Sequence, residues 1–290
     1  MNFVDEIKKT FRNNNAINKI IVINVIVFIG IGIINASIFL SGNNTQNVYS
    51  TIDSYMKWFE LPASFITFLT RPWSIITYLF LHDPFSIFHI LFNMLWLYWI
   101  GNILHEYLGN RKVYESYFGG GIFGGLLYMI SYNVMPVLRE QMPNTFALGA
   151  SASVLSVIVS AATLLPEYGI GIMFLGIVRL KFIALFAIVL DLVSIPISNT
   201  GGHIAHIGGA LFGFLYIKYI YGKIRFPEWL VSIFSRPKLK VHYSAKQKTT
   251  TESYEPSQEE IDLILDKISK SGYDSLSKKE KEILFKASKN

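Results

Sequence analysis

The chain has 290 residues, of which 51% are hydrophobic and 16% are charged, with a formal net charge of +6. The charged share is well below the roughly 25% of ordinary soluble domains and the apolar residues form long blocks, which excludes a soluble globular protein. The chain has no cysteine, so disulfides, cysteine metal sites and cysteine nucleophiles are also excluded. The modest positive charge gathers beside the apolar blocks, which indicates contact with membrane lipids rather than nucleic-acid binding.

Apolar blocks recur along the chain, and a membrane-crossing helix needs about 20 such residues. The first block follows a polar, basic segment, residues 1–19, and is too long for the apolar core of a signal peptide. We therefore expect an all-α fold, a multi-pass bundle of six transmembrane helices within residues 20–224. Residues 169–180 either extend the fifth span or lie along the membrane interface. The predicted spans are residues 20–40, 87–104, 113–134, 147–165, 182–197 and 204–221.

Lysine and arginine residues beside the spans predict the orientation, because they are retained in cytoplasmic loops. With six spans, the densest basic groups fall on one side of the membrane. The sequence thus predicts a multi-pass protein of the cell (inner) membrane with both termini in the cytoplasm. The basic residues on the predicted cytoplasmic side are Lys8, Lys9, Arg12, Lys19, Arg111, Lys112, Arg179, Lys181, Lys218, Lys223 and Arg225.

The C-terminal part of the chain is polar and is predicted to consist of a linker, residues 225–256, and a cytoplasmic helical hairpin, residues 257–290. Two S-x-x-E patterns, Ser257 with Glu260 and Ser277 with Glu280, are typical of helix capping boxes. Gly272 between them is expected to end the first helix. This hairpin contains no obvious chemistry, and the sequence does not identify its partner.

Three of the predicted spans carry polar residues near the outer end, at a depth of roughly one to two helical turns. His89 and Asn93 share one face of the second span, Ser151 lies in the fourth, and His203 and His206 lie in the sixth. A serine in a membrane helix usually packs or bonds to its own helix, whereas a membrane histidine is costly enough to suggest a function. Together the three spans place a hydroxyl, an amide and imidazoles at one level.

Small residues next to these polar groups have an ordinary role in packing. Gly149 and Ser153 form a small-xxx-small pattern, and Gly209 with Gly213 forms another, both of which let helices approach closely. We expect these glycines to be helix-packing residues near the site, and Gly209 and Gly213 to bring the sixth span against the fourth.

The polar set fits nucleophilic catalysis on a peptide carbonyl, which needs a nucleophile, a base and donors for the oxyanion. Ser151 is the expected nucleophile and His206 the expected base. His89, Asn93 and the backbone N–H of Ser151 are the expected oxyanion hole, helped by the positive end of the helix dipole. Because the sixth span has no acidic residue beside His206, we expect a Ser-His dyad rather than a triad.

Other chemistries fit less well. His105 and Glu106 begin an H-E-x-x-H zinc motif, but Gly109 stands where the second histidine would be. An aspartyl mechanism needs two carboxylates within the membrane, and only Asp191 qualifies; we expect it to be a structural partner near the outer end of the fifth span. A metal held by His82, His89, His203 and His206 leaves the serine unexplained, so we expect no metal and no cofactor.

The motifs resemble those of the rhomboid family of intramembrane serine proteases, over roughly residues 73–223. By that resemblance Ser151 is the nucleophile and His206 the base, while His89 and Asn93 line the oxyanion hole. The resemblance implies single-pass transmembrane proteins as substrates, cut near the outer membrane face. A non-catalytic rhomboid-like scaffold or chaperone is the alternative. The family's H-x-x-x-N, G-x-S and A-H-x-x-G-x-x-x-G motifs occur in order at residues 89–93, 149–151 and 205–213.

Overall fold

The computed structural model describes residues 15–42, 45–172, 176–224 and 257–288. The chain divides into two compact units, Met1–Leu230 and Val231–Asn290, which are described separately. Most of the predicted N-terminal segment and the whole of the predicted linker lie outside the described residues. Both units are mainly helical, in line with the expected fold class.

The first unit consists of helices joined by short loops and two small strand pairs. Strands β1 (Leu61–Pro62) and β2 (Phe146–Ala147) pair antiparallel, with Leu61 opposite Ala147, and β3 (Gly169–Ile172) pairs antiparallel with β4 (Gly176–Arg179). Single-turn 3-10 helices lie at Tyr78–Phe80 and Met142–Asn144. The α-helices are α1 (Ala16–Leu40), α2 (Thr45–Met56), α3 (Phe65–Thr70), α4 (Ser74–Thr77), α5 (Ile87–Val134), α6 (Pro136–Arg139), α7 (Ser151–Leu164), α8 (Leu180–Ser194) and α9 (Thr200–Ile220).

Helix α5 is broken at Gly109, whose backbone has φ 72° and ψ 175°. Such a positive φ is easily adopted by glycine, which has no Cβ to clash. The predicted second and third spans fall on either side of this break. The chain reverses there, because His89 before the break and Gly121 after it both lie beside the N-terminal end of α7.

One predicted boundary was wrong. The fourth span was expected to begin at residue 147, but Phe146–Ala147 is a strand and the helix begins only at Ser151. Ser151 is thus the first residue of its helix rather than a residue one turn inside it. Of residues 169–180, expected to extend the fifth span or to lie along the interface, Gly169–Ile172 and Gly176–Arg179 form strands β3 and β4 and so do not extend the helix; their position at the interface stays a prediction.

Within the described residues, α1 and α5 are long and apolar enough to cross a membrane, and α7 is equally apolar in character but shorter. Six spans therefore remain a prediction. The distribution of side chains still resembles that of a protein in lipid, because large apolar side chains cover the outside of the bundle. Among the exposed ones are Ile26, Ile29, Ile33 and Ile34 on α1 and Phe182, Leu185, Phe186, Val189 and Leu190 on α8.

Helix α7 lies at the centre of the bundle, where small and polar residues make its closest contacts with α5 and α9, while large apolar side chains fill the rest of the core. Helices α5, α7 and α9 pack on one another, α1 packs on α5, and α8 packs on α7 and α9. Ser116 of α5 hydrogen-bonds with Ser160 of α7 at 2.9 Å, and Ser156 donates to the Ser116 carbonyl at 2.9 Å. A Cβ added to Gly120 would overlap Ser156. Close backbone approach of this kind fixes the position of α7 between its neighbours.

The second unit contains α10 (Gln258–Ser271) and α11 (Lys278–Ala287). Ser257 and Glu260 make both hydrogen bonds of a capping box at the start of α10. Gly272, at φ 77°, follows its end, as predicted. Lys267 of α10 and Glu280 of α11 form an ion pair at 2.8 Å, which links the two helices.

Candidate active site

Ser151 is presented by a sharp turn between β2 and α7. Gly149 in this turn has φ 130°, a conformation that side chains disfavour, and its N–H donates to the Tyr78 carbonyl at 3.0 Å. A Cβ on Gly149 would lie 3.3 Å from both His89 Nε2 and Ser151 Oγ. The glycine therefore permits both the turn and the approach of His89 to the serine; it is not part of the helix-packing face that the sequence suggested.

His206 reaches Ser151 from helix α9. Its Nε2 lies 2.6 Å from Ser151 Oγ, which is hydrogen-bond distance. One turn further along α9, a Cβ on Gly209 would overlap the carbonyl oxygen of Ala152, and another turn on, a Cβ on Gly213 would overlap that of Ser156. The two glycines thus lie where α9 touches the backbone of α7, and this contact holds the imidazole beside the hydroxyl.

Asp191 lies behind the imidazole and belongs to helix α8. Its Oδ1 is 2.8 Å from His206 Nδ1 and 2.7 Å from His203 Nδ1. The side chain is largely buried, with 11% of it exposed. The expectation that His206 has no acidic partner was therefore wrong, because the carboxylate comes from a neighbouring helix and not from the span that carries the histidine.

His89 and Asn93 lie one helical turn apart on α5 and face the same cavity as Ser151. Asn93 Nδ2 donates to the His89 carbonyl at 2.9 Å, which leaves its second N–H for another acceptor. The His82 ring packs edge-on against His89, with centroids 5.1 Å apart. His82 precedes α5, and burial lowers its pKa to about 4, so this ring is neutral at pH 7.

The backbone of α7 supplies further donors. Helix N-termini leave their first N–H groups without intrahelical partners and carry a partial positive charge. Among the described residues, no side chain caps this end of α7, whose N-cap residue is Ala150. The N–H of Ser151 is thus at the positive end of the helix, beside the hydroxyl.

A cavity of about 750 Å³ joins these groups. It brings together residues from the segment before α5, from α5 itself, from β2 and the β2–α7 turn, and from the start of α9. Sequence reasoning missed most of its wall, which has no motif beyond aromatic residues at helical spacing. The lining residues are Asp83, Phe88, His89, Phe92, Asn93, Trp96, Phe146, Ala147, Leu148, Ser151, Asn199, Gly202 and His206.

In the described part of the chain, Asp191, His203 and His206 also form a group whose donor atoms lie within 4.8 Å of one another, as a metal site requires. Here, however, Asp191 Oδ1 is at hydrogen-bond distance from Nδ1 of both His203 and His206, so the three side chains pair with one another without an ion. The four histidines of the alternative metal site do not form one cluster: His82 packs edge-on against His89, and His203 packs edge-on against His206.

Comparison with known proteins gives two family matches. Residues 69–223 match the model of the rhomboid domain, and residues 248–290 match a model described as a family of unknown function (DUF6576).

Individual relatives match part of the chain. Presenilin-associated rhomboid-like protein A, mitochondrial, from Danio rerio is 31% identical over 138 residues, 47% of this chain and 34% of that protein. Rhomboid protease GlpG from Serratia proteamaculans is 33% identical over 87 residues, 26% of this chain and 30% of that protein. Rhomboid protease GlpG from Yersinia pseudotuberculosis is 27% identical over 173 residues, which cover 55% of this chain and 52% of that protein. The chain thus spans about a third to a half of the length of these curated relatives.

Proposed function

The chain belongs to the rhomboid family, whose members are integral membrane proteins and mostly intramembrane serine proteases, and from this premise we propose that it is a serine endopeptidase that cuts transmembrane substrates. Ser151 is the nucleophile and His206 is the general base. The observation that supports this most directly is the 2.6 Å separation of Ser151 Oγ and His206 Nε2, on two different helices, at the edge of one cavity.

The reaction follows from these positions. Ser151 Oγ attacks the carbonyl carbon of the substrate peptide bond while its proton passes to His206 Nε2. The tetrahedral intermediate collapses, the C–N bond breaks, and His206 returns the proton to the leaving amine. A water molecule then gives a proton to the same imidazole and attacks the carbonyl carbon of the acyl-enzyme; the ester C–O bond breaks, His206 returns the proton to Ser151 Oγ, and the carboxylic acid leaves.

The developing oxyanion needs fixed donors, which are worth more in a partly desolvated site than in water. The Ser151 backbone N–H, the ring of His89 and the free N–H of Asn93 converge on the cavity from two helices. We assign these three groups to the oxyanion hole.

We also propose that the first unit crosses the membrane six times, with α5 contributing two of the crossings, one before and one after Gly109. The exposed apolar side chains and the basic residues at one end of the predicted spans support this arrangement. The site then opens toward the outer face, and both termini lie in the cytoplasm. Single-pass membrane proteins that enter the cavity from that side are the expected substrates.

A fluorophosphonate probe tests the nucleophile and the orientation together. The probe forms a P–O bond at an activated serine and releases fluoride, so we expect stoichiometric labelling of Ser151 in detergent, identified by peptide mass spectrometry. A charged, membrane-impermeant probe should label the same residue in intact cells. Heat-denatured protein is the control and should not react. Labelling of another serine would contradict the assignment, and no labelling in either preparation would favour a non-catalytic scaffold.

His89→Ala and Asn93→Ala should each lower kcat by about 100-fold with little change in KM, because a lost oxyanion donor acts on the transition state. The measurement is the cleavage rate of a purified transmembrane substrate at saturating concentration. Asn102→Ala is the matched control: Asn102 lies on the same helix and also donates to the carbonyl four residues earlier, that of Tyr98, but its Oδ1 accepts from Asn15 and it does not line the cavity. If Asn102→Ala slows cleavage as much as Asn93→Ala does, the Asn93 side chain acts only through its hydrogen bond within the helix and not on the oxyanion.

A further inference from the structure

We infer that Asp191 is a positioning residue that completes a Ser-His-Asp arrangement, with His203 holding the carboxylate in place; this inference rests on the proposed function. Ser151, His206 and Asp191 come from three different helices, α7, α9 and α8. Their contacts form one chain of hydrogen-bond distances, 2.6 Å from Oγ to Nε2 and 2.8 Å from Nδ1 to Oδ1.

The contacts determine which nitrogen of His206 carries the proton. An ionised carboxylate can only accept hydrogen bonds, so a neutral imidazole at 2.8 Å must present its N–H at Nδ1. Nε2 then has its lone pair directed at Ser151 Oγ, which is the tautomer that a general base needs. Without such a partner the ring can adopt the other tautomer, in which Nε2–H faces the hydroxyl and cannot take its proton.

His203 has a separate part in this arrangement. It lies one turn before His206 on α9, and its Nδ1 is 2.7 Å from the same Oδ1. The two rings stand edge to face, with centroids 5.9 Å apart and planes at 89°. The carboxylate oxygen is thus held between two N–H donors from one helix, which restrains both α8 and the position of the oxygen behind His206.

Burying the Asp191 carboxylate costs free energy, which indicates that this residue has a role. It lies near the end of α8, which is apolar between Lys181 and Ser194 except for this residue, and it is 8% exposed. A carboxylate in such a segment requires specific partners. The two imidazoles supply them, and one of these imidazoles contacts the nucleophile.

The test compares Asp191→Asn, Asp191→Glu and His203→Gln with the wild-type enzyme. In Ser-His-Asp enzymes, replacing the acid by its amide leaves the geometry but disfavours the working tautomer. We expect Asp191→Asn to lower kcat by about 10- to 100-fold at nearly constant KM, and fluorophosphonate labelling to slow by the same factor. Asp191→Glu should recover part of the rate. His203→Gln, which loosens the carboxylate but leaves its bond to His206, should cost less than about 10-fold.

Glu167→Gln is the matched control, because Glu167 is an exposed carboxylate that pairs with Arg179 and Lys181 and does not line the cavity, so that removing its charge should leave kcat unchanged. Thermal unfolding is measured for every variant. Wild-type kcat and labelling in Asp191→Asn, with Ser151→Ala inactive, would overturn this inference alone. If kcat falls only in variants whose melting temperature also falls, and Asp191→Glu recovers no activity, the inference would be overturned in favour of a packing role. Loss of wild-type activity in EDTA with recovery in zinc would overturn it in favour of a metal site.

Discussion

Ser151→Ala should reduce cleavage of a transmembrane substrate by at least about 10³-fold, to the detection limit of a purified assay. The alanine removes the only atom that can form the acyl-enzyme in the proposed reaction, while the oxyanion donors and the cavity remain. His206→Ala should fall to a similar level, because the hydroxyl then has no base at hydrogen-bond distance. The measurement is product formation on gels or by mass spectrometry, with enzyme and substrate in the same detergent.

Ser153→Ala is the matched control for this experiment. Ser153 lies two residues further along the same helix, is fully buried, and its hydroxyl makes no hydrogen bond within the described part of the chain. Its removal should leave the rate nearly unchanged. The double variant of Ser151 and His206 should be no slower than either single variant, because the two side chains act as a unit. Wild-type cleavage by Ser151→Ala would refute the proposed function.

The sequence alone was sufficient to predict which polar residues of the helices would lie together, whereas their catalytic roles stay a proposal. This was possible because each is a polar residue in an otherwise apolar segment, where a polar side chain raises the free energy of insertion into the membrane and therefore indicates a function. The depth of each residue followed from the helical rise, and the common depth suggested one site. The structure places Ser151, His206, His89 and Asn93 around one cavity, as those depths indicated.

The sequence could not predict the contact between Asp191 and His206. That contact depends on how α8 is rotated against α9, and periodicity gives little information on a helix whose surface is apolar on nearly every side. The signal was the single carboxylate in that span, but its partner had to be sought on a different helix. The start of α7 at Ser151 was missed for a similar reason, because the strand pairing before it joins distant segments: Leu61 pairs with Ala147 and Pro62 with Phe146, 86 and 84 residues apart.

Gly209→Ala should cost the protein about 2 kcal/mol or more of stability, and it should also impair catalysis. A Cβ at this position would overlap the Ala152 carbonyl oxygen and lie 2.9 Å from its carbon, and a backbone group cannot rotate away as a flexible side chain can. Helix α9 must then move away from α7. Because Ala152 follows Ser151 directly, the same movement separates His206 Nε2 from the hydroxyl.

We expect the melting temperature of Gly209→Ala to fall by roughly 5 °C and kcat to fall by about 10- to 100-fold, since a displacement near 1 Å is enough to cost that much. Gly32→Ala makes the same chemical change on α1, where a Cβ would meet nothing within 4 Å. It should keep wild-type activity and stability, because alanine is the better helix former. If the two variants behave alike, the close approach of α9 to α7 does not position the base. If only Gly209→Ala loses activity, the glycine is what permits a membrane helix to bring an imidazole within reach of a serine on its neighbour.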